Sequence, residues 1–345
     1  MPPEATTPQS SWRQEGVLDH VPENWRGPLG LFALSFLGLG VVTAREWGEM
    51  FHQWWNIDTY SHILLVPLIL IWLVWLRTDE LQKITPKPWA PGLLLIAAGL
   101  GLWLVGRLTD INLFAHAGAV GAVQGAVVAT LGLRASIALA LPLAFATFLV
   151  PFGDELIPAL QMVTAEIAIA LTHLSGIPAV VDGIYIETPV GLFIVAEACS
   201  GVKFLIAMIT LAVLVCFTRF DSWRRRIAFL AASIIIPIIA NGIRAWGTIY
   251  IAQSQGVEFA AGFDHIFYGW IFFAIVVVVL IAGAWRYFER EPDDHGWTAD
   301  EIQTWPWLDK AEQSNTSVSA AAGAIAAMAL AAAMIAAIVD PMAIS

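Results

Sequence analysis

The sequence predicts an all-α, polytopic integral membrane protein with about eight or nine transmembrane helices, an outer-face interfacial helix and a short β-hairpin. Three observations carry this expectation. Of 345 residues, 58% are hydrophobic and only 13% are charged, against roughly 25% charged in a soluble domain. Several apolar runs approach or reach the roughly 20 residues a helix needs to cross hydrocarbon. The chain also has 16 tryptophans, several at the ends of apolar runs, where aromatic belts form.

Residues 1–27 are rich in Pro, Thr, Ser and charge, and read as a flexible cytoplasmic N-terminus. They lack a cleavable signal pattern. A transmembrane core follows over 28–288. Its apolar segments lie at 28–45, 62–76, 90–107, 113–132 and 134–150, then at 190–217, 227–246 and 266–285. An acidic cytoplasmic linker spans 289–317 and holds much of the net charge of -11. Such an acidic balance argues against nucleic acid as a partner. The Ala-rich run at 318–339 is long enough to span, and its small residues suit close helix packing. It reads as a ninth span, an anchor for a partner, or a degenerate signal-like segment.

The stretch 151–189 differs. In "LIPALQMVTAEIAIALTHLSGI" the polar residues Gln161, Thr164, Glu166, Thr172 and His173 are expensive in lipid. Several share one helical face, so the expectation is an interfacial or protein-packed helix. "IYIE" and "GLFIV" are β-prone runs separated by "TP", and predict a hairpin. Its open edges exclude it from hydrocarbon.

Basic residues orient the chain by the positive-inside rule. Arg77, Lys83 and Lys87 form one group, Arg134 follows, Arg219, Arg224, Arg225 and Arg226 form the strongest cluster, and Arg286 and Arg290 come last. With all four groups cytoplasmic the spans alternate, and the loops near 46–61, 151–189 and 247–265 lie outside.

This topology sets three polar groups at one depth. Cys199 stands at the outer end of its span. Asn241 and Arg244, in "NGIRAWGTIY", lie near the outer end of the next. Asp264 and His265, in "GFDHIFYGW", begin the one after. A thiol beside a helix start, His or Arg ionises more readily. His265 is placed to take the thiol proton and return it to an amine leaving group. Arg244, permanently charged, suits a scissile carbonyl or a developing oxyanion. The chemistry these types share is acyl transfer from a peptide to the thiol.

Blander readings exist for each. A lone Cys in an apolar run is usually packing, Arg244 could snorkel to headgroups, and His265 could cap a helix or pair with Asp264. Glu197 is expected to be solvated or to meet Arg244, with Lys203 in reach only if the backbone turns. Ser200-Gly201 reads as a tight helix start. His62, in "DTYSHILLVPLI", is either an interfacial His beside Tyr60 or a substrate contact in the same outer cavity. None of the seven His forms an HxxH, HExxH or CxxC pattern, so no metal or cofactor is expected. Cys199 and Cys216 on one helix would lie about 25 Å apart, too far to bridge.

"EACSGVKFL", "NGIRAWGTIY", "DHIFYGWIFF" and "YSHILLVPLILIWLVW" resemble the cysteine, arginine, histidine and early serine-histidine segments of the exosortase/archaeosortase family, most like a bacterial exosortase. They occur in family order and cover roughly 28–288. The resemblance implies a membrane-embedded cysteine endopeptidase/transpeptidase of the bacterial cell inner membrane, with its active site near the periplasmic face. Cys199, Arg244 and His265 match the family's proposed catalytic residues. It further implies partners that are exported proteins carrying a C-terminal signal of Pro-Glu-Pro type with its own transmembrane helix, together with membrane lipids and an acceptor nucleophile whose identity the triad does not encode. His62, Glu197, Ser200, Lys203, Asn241 and Asp264 are supporting or substrate-facing candidates. Ile63 stands where family members often carry Gly, and the chain after Arg290 does not match the family core.

Two other classes remain. A polytopic transporter would use Gln124, Glu166, Asn241 and Arg244 along a path, although no paired broken helices occur in matching halves. A non-catalytic assembly subunit would use the same polar residues for packing and would not need the Cys199 thiol.

Overall fold

The computed structural model describes residues 21–259 and 271–343. Ten main helices follow one another: α1 (Glu23–Val42), α2 (Ala44–Asn56), α3 (Val66–Trp75), α4 (Gly92–Thr109), α5 (Asn112–Leu131), α6 (Ile157–Leu174), α7 (Val202–Arg219), α8 (Trp223–Gln255), α9 (Phe273–Trp285) and α10 (Val318–Ala343). Three strands lie between α6 and α7: β1 (Val180–Asp182), β2 (Tyr185–Thr188) and β3 (Gly191–Ile194). Among the described residues, seven helices are long and apolar enough to cross a membrane, or eight if the bent α2–α3 pair counts as one span. The chain is a polytopic all-α membrane protein with a small open β-sheet.

Several expected spans take a different form. The first begins at Glu23 rather than 28. The run at 134–150 is not one helix. It breaks into Leu133–Ala138, Ala140–Phe145 and a 3-10 turn. Pro142 is the cause: lacking an N–H, it cannot bond the Ala138 carbonyl four residues back. That carbonyl instead accepts from Arg77 Nε at 3.3 Å. Ahead of the second expected span, α2 is an amphipathic helix burying Glu46, Met50 and Trp54 on one stripe. The chain then turns by 108° through a 3-10 stretch, Asp58–Leu65, before α3.

The tightest contact is α4 on α5. A Cβ on Gly99 would stand 2.4 Å from the Ala122 nitrogen, so only glycine permits this backbone approach. α10 covers α1 and α4, and its Ala321, Ile325, Ala329, Ala332 and Ala336 are buried at helical spacing with Leu39, Ile96 and Leu100. Of the three readings of the Ala-rich run, the geometry matches a further helix of the bundle itself.

Residues 289–317 fold over one end of the bundle. Buried Arg77 donates to the carbonyls of His295 (2.7 Å) and Trp297. Arg134 pairs with Asp309 and Glu312, Arg219 with Glu291, and Arg225 with Glu289. Trp89 Nε1 donates to the Ala311 carbonyl. The acidic segment thus clasps arginines from three separate connections, and those connections share one end.

The opposite end is built on α8. Its 33 residues extend about 50 Å, well beyond the roughly 30 Å of a hydrocarbon core. α6 passes the length and hydropathy test for a span, yet it packs beside the far half of α8. Gly153, just before α6, lies against Val202 and Ile206 in the first turns of α7. Thr164 then meets Asn241, Ile167 meets Gly242 and Ser175 meets Trp246. α6 therefore runs away from the arginine end with one face on the projecting part of α8, while Met162, Val163 and Leu174 are exposed.

The expected hairpin is present, with Pro189-Val190 as its turn, and β1 adds a third antiparallel strand that "VVD" did not announce. Ile186 and Val195 on one face are buried against Ala165, Ala168 and Ile249. Leu192, Ile194 and Tyr185 on the other face are exposed.

Candidate active site

The polypeptide after β3 makes a 3-10 turn, Glu197–Cys199, and enters α7 through Ser200 and Gly201. Gly201 has φ +82°, the left-handed region that glycine adopts without strain. The Ser200 hydroxyl accepts from the Val202 N–H at 3.3 Å, which satisfies one free N–H of the first turn. Cys199 thus sits just ahead of a helix start. There, the unpaired N–H groups and the helix dipole favour an anion.

Asn241 of α8 ties this turn down. Its Nδ2 donates to the Cys199 carbonyl at 2.8 Å and to Thr164 Oγ1 at 3.1 Å. A side chain at 201 could not fit, since a Cβ there would stand 2.8 Å from Asn241 Cγ. One turn along α8 is Arg244. Cys199, Asn241 and Arg244 line a single small cavity of about 70 Å³, together with Phe193, Ile194 and Val195 from the β3 edge and Thr248 and Ile249 from α8. Two of the three residues expected to carry chemistry share this cavity. His265 and Asp264 lie outside the described residues.

The supporting candidates separate into two groups. Ser200 and Asn241 are buried and structural to the Cys199 turn. Glu197 is exposed and forms no ion pair with a described residue. Lys203 points instead over the Phe204 ring at 5.2 Å, because the turn at Gly201 sends Glu197 and Lys203 apart. His62 does not line the Cys199 cavity. It lines an adjacent apolar groove of about 580 Å³ between the 58–65 turn, α3, α7 and α9, shared with Ser61, Lys203, Phe204 and Phe273. Phe204 stacks on Phe273 at 4.7 Å, and both line this groove without lining the Cys199 cavity. His62 Nδ1 donates to the Thr59 carbonyl at 3.1 Å, which leaves Nε2 as the acceptor.

Cys216, the second thiol, is buried inside α7, with Sγ 3.4 Å from the Arg226 carbonyl near the arginine end. It forms part of the packed core. No group of three metal-ligating side chains occurs among the described residues. Sequence reasoning passed over Thr164 as part of this site. Its only signal was that a hydroxyl stood on the polar face of an otherwise apolar helix.

Neither the curated proteins nor the solved structures compared with the chain gave a match. The family described as transmembrane exosortase matches residues 54–282, which include the Cys199 turn, the Asn241–Arg244 turn and the 58–65 turn. With this match across most of its length, the chain belongs to the transmembrane exosortase family.

Proposed function

We propose that the protein is a membrane cysteine endopeptidase/transpeptidase that forms a thioester on Cys199. The observation that supports it best is the shared cavity of Cys199 and Arg244, fixed by the Asn241 bond to the Cys199 carbonyl. The Cys199 thiolate attacks a peptide carbonyl carbon, and the oxyanion so formed is stabilised by the Arg244 guanidinium. His265, in the role that the family resemblance implies, takes the thiol proton and passes it to the departing amine as the C–N bond breaks. Water, an amine or a hydroxyl then attacks the thioester and regenerates the thiol. The substrates are exported proteins with a C-terminal signal of Pro-Glu-Pro type and a transmembrane helix. The active site faces the periplasmic side of the bacterial inner membrane, since the arginine-rich end is the cytoplasmic one by the positive-inside rule.

The test is mass spectrometry of protein co-expressed with such a substrate. An acyl adduct on the Cys199 peptide, removed by hydroxylamine and absent from the Cys216 peptide, is expected. A substrate cut without any adduct, by an enzyme lacking the Cys199 thiol, contradicts the reading.

A further inference from the structure

Among the described residues, the β-sheet beside the candidate site ends in a strand whose outer edge is open. β3 pairs with β2 alone, in the register Thr188↔Gly191, Glu187↔Leu192, Ile186↔Phe193 and Tyr185↔Ile194. The Val195 N–H donates to the Ile184 carbonyl at 3.0 Å, which identifies 184↔195 as a hydrogen-bonded pair. In an antiparallel ladder such pairs alternate with non-bonded ones. Gly191, Phe193 and Val195 therefore turn their backbone groups toward β2. Leu192 and Ile194 turn theirs outward.

Of those outward groups, the Ile194 carbonyl accepts from the Ala196 N–H at 2.9 Å. The Leu192 N–H and carbonyl and the Ile194 N–H have no partner among the described residues. Among the described residues the side chains along this edge are also exposed, Leu192 at 57% and Ile194 at 52%. Natural sheets usually protect such an edge with charge, proline or a covering element. Here the edge residues are Gly, Leu, Phe and Ile.

The position of this edge is informative. Phe193, Ile194 and Val195 contribute to the cavity that holds Cys199 and Arg244. The chain runs from Ile194 to Cys199 with only four residues between. We infer that the open edge of β3 binds the polypeptide to be cut, as an added extended strand, and delivers it to Cys199. The occupant is fixed by the chemistry of the edge. A row of alternating backbone donors and acceptors is matched by another extended backbone, and not by a lipid or a helix. Main-chain bonds would supply sequence-tolerant affinity. The small cavity would admit one small side chain beside the scissile bond. This inference rests on Cys199 being the nucleophile, and adds to it the conformation and backbone recognition of the substrate.

The test uses full-length protein in lipid nanodiscs and a short peptide ending in a vinyl sulfone, which alkylates Cys199. Three forms are compared: unmodified, N-methylated at the odd residues, and N-methylated at the even residues. A strand presents every second N–H to its neighbour. One methylated series should therefore alkylate Cys199 about tenfold more slowly or worse, and the other close to the parent rate, since one lost backbone bond is worth roughly this factor. A Leu192→Pro variant removes the outward N–H without touching the β2 ladder. It should slow alkylation by the unmodified peptide similarly, with the iodoacetamide rate at Cys199 unchanged. Equal rates for both methylated series, or a parent peptide no faster than the bare vinyl sulfone, overturn the inference. Substrate cleavage that persists in Cys199→Ala would contradict the nucleophile instead, and is read in a separate assay.

Discussion

The side-chain amide of Asn241 donates to the main-chain carbonyl of Cys199 at 2.8 Å, and so couples α8 to the turn that carries the thiol. The same Nδ2 reaches Thr164 on α6. Three elements distant in sequence are held at one point, and Arg244 follows one turn later. Replacing Asn241 with Ala leaves the Cys199 carbonyl without this partner. The expected cost is about 1–3 kcal/mol, read as a lowered thermal midpoint. Substrate cleavage should fall further than the folded fraction does, because the thiol turn loses its anchor. An unchanged cleavage rate per folded molecule would separate Asn241 from the site.

Gly201→Ala is expected to act on the same bond from the other side. Its Cβ would press into Asn241 at 2.8 Å, and its φ of +82° disfavours any L side chain. The double variant Gly201→Ala/Asn241→Ala should be less unstable than the sum of the singles, because removing the amide relieves the clash. The backbone cost of about 1–2 kcal/mol remains. A thermodynamic cycle with no coupling would contradict the contact.

Arg77 is the centre of the clasp at the opposite end. It is buried and donates to the main-chain carbonyls of Ala138, His295 and Trp297. Arg77→Met removes charge-assisted bonds and strands those acceptors. Loss on the order of 3 kcal/mol, with faster hydrogen exchange across 289–317, is the expected outcome. Protection equal to wild type would show that the clasp holds without it.

Acid should open that clasp in two stages. Burial pushes the His295 pKa below its ordinary 6.5, opposed by the Pro292 carbonyl and reinforced by the nearby Arg77 charge. The bond from Nδ1 to the Pro292 carbonyl leaves Nε2 buried without a partner among the described residues, so a second proton there is unfavourable. Glu80, Glu289 and Glu301 are held below the usual 4.5 chiefly by the backbone N–H groups of Ala299, Ser222 and Thr298. All four groups have depressed folded values. Their stabilisation is complete above the unfolded value and is lost as pH falls through the folded one. Exchange across 289–317 should therefore rise first below about pH 6.5 and again below about pH 4.5. A His295→Gln variant should lose the first stage alone. A flat profile from pH 7 to 4 would contradict this.

Much of the architecture was legible because membrane physics writes it into composition. Long apolar runs, arginine clusters and the depth shared by Cys199 and Arg244 follow from burial and charge alone. The polar residues of α6 divide, with Thr164 and Thr172 buried and Glu166 and His173 exposed. What sequence could not show depends on lateral neighbours. Pro142 announces a helix break, but not that Arg77, 65 residues earlier, fills the vacated carbonyl. The acidic segment 289–317 reads as a linker because its bonds go largely to backbone groups, which carry no residue signature. β1 is too short for a period to show. His62 and Cys199 share an outer position in sequence, yet they line separate spaces, and no periodicity encodes that separation.

The central claim is that Cys199 is the nucleophile. It is tested most directly by co-expressing a candidate sorting-signal substrate from the same genome with wild type, Cys199→Ala and Cys216→Ala, and following release of the substrate's C-terminal tail on a gel. Release by wild type and Cys216→Ala, abolished in Cys199→Ala with normal membrane levels of protein, is the predicted result. Release that persists in Cys199→Ala would contradict the account.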